Sequence, residues 1–358
     1  MATRTRKAFF AAIPLAIALP LAACSGGGET GSGESSAASG GDGGYVIGFS
    51  NSFNGNTYRQ AMEAYAKEAG DELIASGEVK ELIFAEANQD NNKQIQQIQS
   101  FIMQGVDLII VDPGSATALT GVVQEASDAG IPVVTVNDGP IESDADGVYQ
   151  IYFDAADQMK QLTTYVAEGM GGKGAMIELR GMEGDAFDAK AHEGVLEALT
   201  SYPDITVAAE IYTDWTGSKA QTELAAVLPN LISQYGSIDG VVNQGGDSYA
   251  AVQAFQQAGV TELPIIGGDN RGFFLKWWAN DAPEGYDTLS VSANPWDGAT
   301  AVYVAADVLS GEYDVPSMMV HPIGIITKDD VQDFADVADE DIATPTYDRA
   351  WVRENLYK

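Results

Sequence analysis

The chain has 358 residues, more than one ordinary core uses and suited to two units of common domain size. Its 52 acidic and 18 basic residues give a formal charge of −34, which repels phosphate backbones and anionic membrane surfaces and excludes nucleic acid as a partner. One cysteine and two histidines exclude a disulfide and Cys/His metal clusters, and leave a histidine-dependent triad only His192 or His321 to use.

The N-terminus reads as an address. Arg4, Arg6 and Lys7 precede an apolar run over 8–22 that Pro14 and Pro20 interrupt. That run is shorter than the roughly 20 residues of a spanning helix and fits the core of a signal peptide. Leu21-Ala22-Ala23-Cys24 resembles the bacterial lipobox, in which small residues fit the signal peptidase and the thiol takes a diacylglyceryl group. Residues 25–44 are almost wholly Gly, Ser, Ala, Glu and Asp, which cannot bury a core and form a flexible tether. The expectation is a signal peptide over 1–23, lipidation at Cys24, a tether over 24–44, and a secreted protein held to the outer face of the cell membrane by its lipid alone.

From Tyr45 onward, apolar runs alternate with helical periodicity. Strands are predicted over 45–50, 81–85, 106–112 and 132–136, with helices over 57–75, 91–104 and 117–129 between and after them. The run 106–112 is nearly all apolar, as in a strand buried on both faces of a parallel sheet. The rhythm repeats with strands over 175–179, 206–212, 240–244, 264–268 and 289–293. Helices are predicted over 157–170, 185–201, 219–235, 248–258, 272–280 and 297–309. This alternation predicts an α/β protein with parallel sheets flanked by helices. So many strands divide better into two sheets than one.

In such sheets ligands sit beyond the carboxyl ends of the strands. The segments there are 51–59, 88–91, 112–115, 137–139, 180–188, 214–216, 244–247, 269–271 and 294–297, rich in Asn, Asp, Gln, Arg and Trp. Amides, carboxylates and guanidinium groups satisfy multiple hydroxyls, and aromatic faces cover the apolar side of a sugar ring. Turn chemistry also favours Asn, Asp and Gly, but it accounts less well for so many polar groups at one end of both sheets.

The order and spacing of several segments resemble the sugar-binding proteins of the type I periplasmic-binding fold, the ribose- and galactofuranose-receptor group. They are Gly48-Phe49-Ser50-Asn51, Asn56-Thr57-Tyr58-Arg59, 130–138, Ile177-Glu178-Leu179-Arg180-Gly181, Gly267-Gly268-Asp269-Asn270 and Asn294-Pro295-Trp296-Asp297-Gly298-Ala299. The resemblance implies two lobes joined by a three-strand hinge near Phe153, Ala293 and Ile323, one lobe holding 45–152 plus 293–322 and the other 153–292 plus 323–358. It implies capture of a small sugar, pentose or hexose, by hinge closure for an ABC permease, by a monomer without cofactor, metal or catalytic residues. A nucleoside, polyol or autoinducer receptor, or a sensor subunit serving a membrane kinase, is the alternative within the fold. A carboxylate-pair glycosidase is the competitor outside it.

Family roles transfer residue by residue. Asn56, Tyr58 and Arg59 follow the first strand and would clasp the ligand, although Asn56 or Thr57 equally serves as a helix N-cap. Asn137 and Asp138 occupy the place where the family often has Asp-Arg, so an acceptor is kept and the arginine is missing. Another family arginine is replaced by Ala191, three residues before Gly194, with Asp188, Lys190 and His192 as neighbouring substitutes. Trp215 fits the stacking aromatic, Gln244 or Asp247 would face the ligand, and Asp269 with Asn270 matches the carboxylate that takes hydroxyls. Trp296 is either a cleft wall or an anchor near the hinge. The tail over 327–358 is expected to pack on the second lobe.

Overall fold

Strand β1 (Tyr45–Asn51) turns Ile47 and Phe49 to one core and Val46 toward another, the alternation that buries both faces of a sheet. The computed structural model to which it belongs describes residues 43–137 and 140–358. The expected signal peptide, Cys24, most of the tether, and Asp138 lie outside the described residues.

Helix α1 (Thr57–Ser76), β2 (Val79–Glu86), α2 (Asn91–Gln104), β3 (Leu108–Asp112), α3 (Thr120–Asp128), β4 (Val133–Asn137) and β5 (Val148–Tyr152) follow in order. β3 is buried along its whole length, with Leu108 and Ile110 on one side and Ile109 and Val111 on the other. Each such side chain contributes about 1.5–3 kcal/mol by leaving water, which is why the most apolar run lies inside the sheet. The chain continues through α4 (Ala155–Gly169), β6 (Lys173–Arg180), α5 (Ala186–Leu199), β7 (Asp204–Tyr212), α6 (Gly217–Tyr235), β8 (Gly240–Asn243), α7 (Ser248–Gln257) and β9 (Ile265–Ile266). Then come α8 (Gly272–Lys276), a π-helical turn (Trp277–Asp281), β10 (Ser290–Ser292), α9 (Asp297–Ser310), β11 (Met318–Val320), β12 (Gly324–Ile326) and α10 (Arg349–Leu356).

Two parallel sheets result, in the orders β11-β5-β4-β3-β1-β2 and β7-β6-β8-β9. The α/β architecture is the one the alternation predicts. Strands β5, β11 and β12 were not anticipated, because each is only three to five residues long and carries no extended apolar run. β10 and β12 form a separate antiparallel pair, an addition to the all-parallel expectation. The chain leaves the first sheet after β5, returns to it with α9, and leaves again between β11 and β12.

The tail departs from its expected place. It does begin on the second sheet's side, where Gly272 N donates to Asp341 O at 2.9 Å and Ala343 N to Asn270 O at 2.8 Å. Thr344 Oγ1 then reaches Asn294 Oδ1, and α10 buries Val352 and Leu356 in the core beside β1, α1 and α9. On α9 the fully buried Asp307 accepts from Arg349, Arg353 and Tyr357, at 2.9 Å from Arg349 Nε, 2.6 Å from Arg353 Nη2 and 2.8 Å from the tyrosine hydroxyl. A buried carboxylate needs cationic partners, and α10 supplies two of them. The end of the chain therefore belongs to the first sheet.

Candidate ligand-binding site

The carboxyl ends of the first sheet gather one charged cluster. Asn56 is the N-cap of α1, its Oδ1 accepting from Arg59 N at 2.9 Å, and it is exposed. The capping alternative for Asn56 is thus the one its contacts show. That cap starts the helix so that Arg59, one turn in, points inward. Its guanidinium pairs with Asp112, a fully buried residue at the end of β3. Ser52 Oγ donates to Asp112 Oδ2 at 2.8 Å, and Tyr58 Oη donates to Asp297 Oδ2 at 3.1 Å. Asp297 is completely buried and its Oδ1 has no partner among the described residues. Burial pushes its carboxyl well above the usual range, with Arg59 opposing and Asp112 reinforcing the shift. Asn137 ends β4 within the same sheet.

The second sheet gathers another cluster. Arg180 closes β6 and grips Asp188 with two bonds, Nε to Oδ1 at 3.2 Å and Nη2 to Oδ2 at 2.7 Å, while its guanidinium lies 4.9 Å from the Tyr212 ring centroid. Asp188 Oδ1 also accepts from Gly181 N at 3.0 Å and Gln244 Nε2 at 2.9 Å, and Gln244 Oε1 takes Gly181 N at 3.0 Å. Gln244 and Asp188 are thus committed to each other and to the backbone. Asp247 differs. Thr213 Oγ1 donates to its Oδ2 at 2.7 Å, but its fully buried Oδ1 has no partner among the described residues. Burial raises this carboxyl to about 8, with Thr213 opposing and Asp269 adding to the rise. Of the pair Gln244 and Asp247, Asp247 is the one that keeps an unused oxygen.

Trp215 stands over this cluster. A Cβ placed on Gly181 would lie 2.2 Å from the indole ring, so only glycine lets the two approach. Phe187 supports the ring edge-on at 6.2 Å. Asp214 and Trp215 both adopt left-handed backbone angles, φ 54° and 53°. Such conformations cost roughly 1–3 kcal/mol each and concentrate at functional positions.

Other expected site residues are occupied by the fold. Asp269 accepts from Ser248 N at 3.3 Å and Arg271 N at 3.2 Å, backbone groups where α7 and α8 begin. Asn270 donates Nδ2 to Gly324 O at 3.0 Å and accepts from Ser290 Oγ at 2.6 Å, tying β12 and β10 together. Trp296 packs against Tyr65 at 4.6 Å and donates Nε1 to Tyr347 O at 2.8 Å, which makes it an anchor for the tail. Ala191 is fully buried among Met159, Leu162 and Val195, so no guanidinium is held there. Arg180, Asp112 and Asp297 were not singled out from the sequence. Their one visible signal was a charged residue ending, or following within a few residues, an apolar strand.

The fold and these clusters can be set beside known proteins. A family model described as a periplasmic binding protein domain matches residues 47–313. The xylitol-binding protein of Mycolicibacterium smegmatis is 33% identical over 289 residues, 80% of this chain and 76% of that protein. The crystal structure of an ABC transporter solute binding protein from Thermobispora bispora superposes with a TM-score of 0.75 at 31% identity, covering 87% of this chain and 94% of that one. A Mycobacterium smegmatis structure in complex with β-D-fucofuranose superposes with a TM-score of 0.67 at 27% identity, covering 81% and 93%. Among the described residues no helix is long and apolar enough to cross a membrane. The chain belongs to the periplasmic binding protein family, extracytoplasmic solute receptors of ABC importers and not enzymes.

Proposed function

We propose that this chain captures a small, uncharged, polyhydroxylated solute, a sugar or a polyol, and delivers it to a membrane permease. The observation that carries this reading is the pair of buried carboxyl groups, Asp297 on the first sheet's side and Asp247 on the second's, each with one oxygen lacking a partner among the described residues. An unsatisfied buried polar atom costs about 1–3 kcal/mol, and hydroxyls of a bound ligand would recover that loss. Arg59, Tyr58 and Trp215 surround these groups with a cation, a hydroxyl and an apolar face suited to a carbon ring or chain. The resemblance to a xylitol-binding protein favours ligands of this class.

The two sheets act as lobes that close over the ligand about the crossings near Phe153, Ala293 and Ile323. Outside the described residues, the basic start, apolar run and Cys24 support secretion and lipid anchoring.

Thermal-shift titration of the chain from Ser25 onward tests the reading. Pentitols, pentoses and hexoses are expected to raise Tm, because a ligand of the folded state stabilises it. The rise should vanish in Asp247→Ala and Asp297→Ala proteins that still fold. No shift with any polyhydroxylated compound would refute the assignment.

A further inference from the structure

A second group of side chains lies away from the orphan carboxyls. Strands β6 and β7 pair in a register that sets Glu178 directly opposite Glu210. Like charges facing each other across a sheet repel. Helix α5 places His192 above them, its Nδ1 at 3.0 and 2.9 Å from the two oxygens of Glu178. One ring nitrogen thus serves both oxygens of a carboxylate that is 1% exposed. Arg180 Nη1 meets Glu210 Oε2 at 3.0 Å, leaving Oε1 of that half-exposed residue to other partners.

We infer that Glu178, His192 and Glu210 form a binding site for a divalent transition-metal ion, Zn²⁺ being the best match. One ligand atom from each residue lies within 4.8 Å of the others. Zinc bonds of about 2.0–2.2 Å to nitrogen and oxygen then require each atom to move in by less than about 1 Å. Imidazole with two carboxylates suits Zn²⁺ or Co²⁺, whereas Ca²⁺ and Mg²⁺ select all-oxygen shells. His192 and Glu210 are partly exposed, which gives the ion a route in, and Glu178 closes the inner side. The ion would replace the repulsion between the glutamates with a cross-link joining β6, β7 and α5. Arg180 connects this site to Asp188, so occupancy would also bear on the cluster at the strand ends.

The chain makes the test unusually clean. It has two histidines, and His321 is 1% exposed and already bonded to Thr300. The single cysteine, Cys24, is absent from protein that starts at Ser25, which retains every described element. That protein, purified without a histidine tag, should bind one equivalent of Zn²⁺ by calorimetry in the presence of excess Mg²⁺. Zinc should raise its Tm by several degrees, and Co²⁺ should give ligand-field absorption bands. His192→Ala, a partly exposed substitution compatible with folding, should abolish all three, as should Glu210→Gln. Failure to bind Zn²⁺, or binding unchanged in His192→Ala, would overturn the assignment and reduce the interaction to general attraction by an acidic surface.

Discussion

Trp296, immediately before α9, donates its indole N–H to the backbone carbonyl of Tyr347 at 2.8 Å, 51 residues further along the chain. The bond draws the tail across from the second sheet's side to the first. There Asp307 receives Arg349, Arg353 and Tyr357. The C-terminal segment is therefore a strap that touches both sides of the molecule.

Asp307→Ala should loosen that strap. It removes the buried partner of two guanidinium groups, and breaking such a pair costs about 3–5 kcal/mol. Urea denaturation should show the loss as a lower midpoint. A change below about 1 kcal/mol would mean that the tail's ion pairs contribute little beyond its apolar packing.

Asn56 and Arg59 should separate in their effects. Asn56→Ala removes an N-cap, expected to cost about 1 kcal/mol, and should leave solute affinity unchanged. Arg59→Met should weaken solute binding by well over tenfold, since it strips the cation from beside Asp112 and Asp297. Isothermal titration with the best solute compares the two. A large affinity loss in Asn56→Ala would return that residue to direct ligand contact.

Asp247 should make the ligand-free protein less stable as pH rises. Its folded carboxyl titrates near 8 against an ordinary value of 3.8, so the folded state holds a proton that the unfolded chain releases. The stabilisation is fully present below about pH 4 and is lost as pH rises through 8. His321 works in the opposite direction, since burial lowers it from 6.5 to about 4 and its contribution to stability is lost as pH falls from 6.5 toward 4. Between about pH 4 and 6.5 the two oppose each other, so chemical denaturation should show a decline between pH 6.5 and 8 that Asp247→Asn reduces. An unchanged slope in that variant would assign the decline to other groups.

Gly181 should control the position of Trp215. Gly181→Ala places a methyl group where the indole lies, 2.2 Å from its ring atoms. Overpacking of this kind costs about 1–3 kcal/mol, and displacement of the ring should reduce solute affinity about tenfold. Tryptophan emission should shift on substitution, and the Trp215→Ala background should remove the effect. Wild-type affinity in Gly181→Ala would show that the indole does not contact solute.

The alternating architecture was legible in the linear order of residues, because strand and helix periodicities are local and β3 or α2 shows its own pattern. So were the polar segments at the strand ends, with Asp247, Arg59 and Trp215 among them. Tertiary structure decided which of those polar groups are still available. Gln244 and Asp247 lie three residues apart, yet Gln244 is consumed by Gly181, 63 positions away, while Asp247 keeps an oxygen without a partner among the described residues. Asn56, Asn270 and Trp296 were likewise claimed by caps and ties to distant segments. The facing of Glu178 by Glu210 and the return of α10 to α9 arise the same way, from strand register and helix docking. Local sequence sets the chemistry each residue offers. Long-range hydrogen bonding determines what is left to offer a ligand, because a donor or acceptor bonded within the fold must first break that bond.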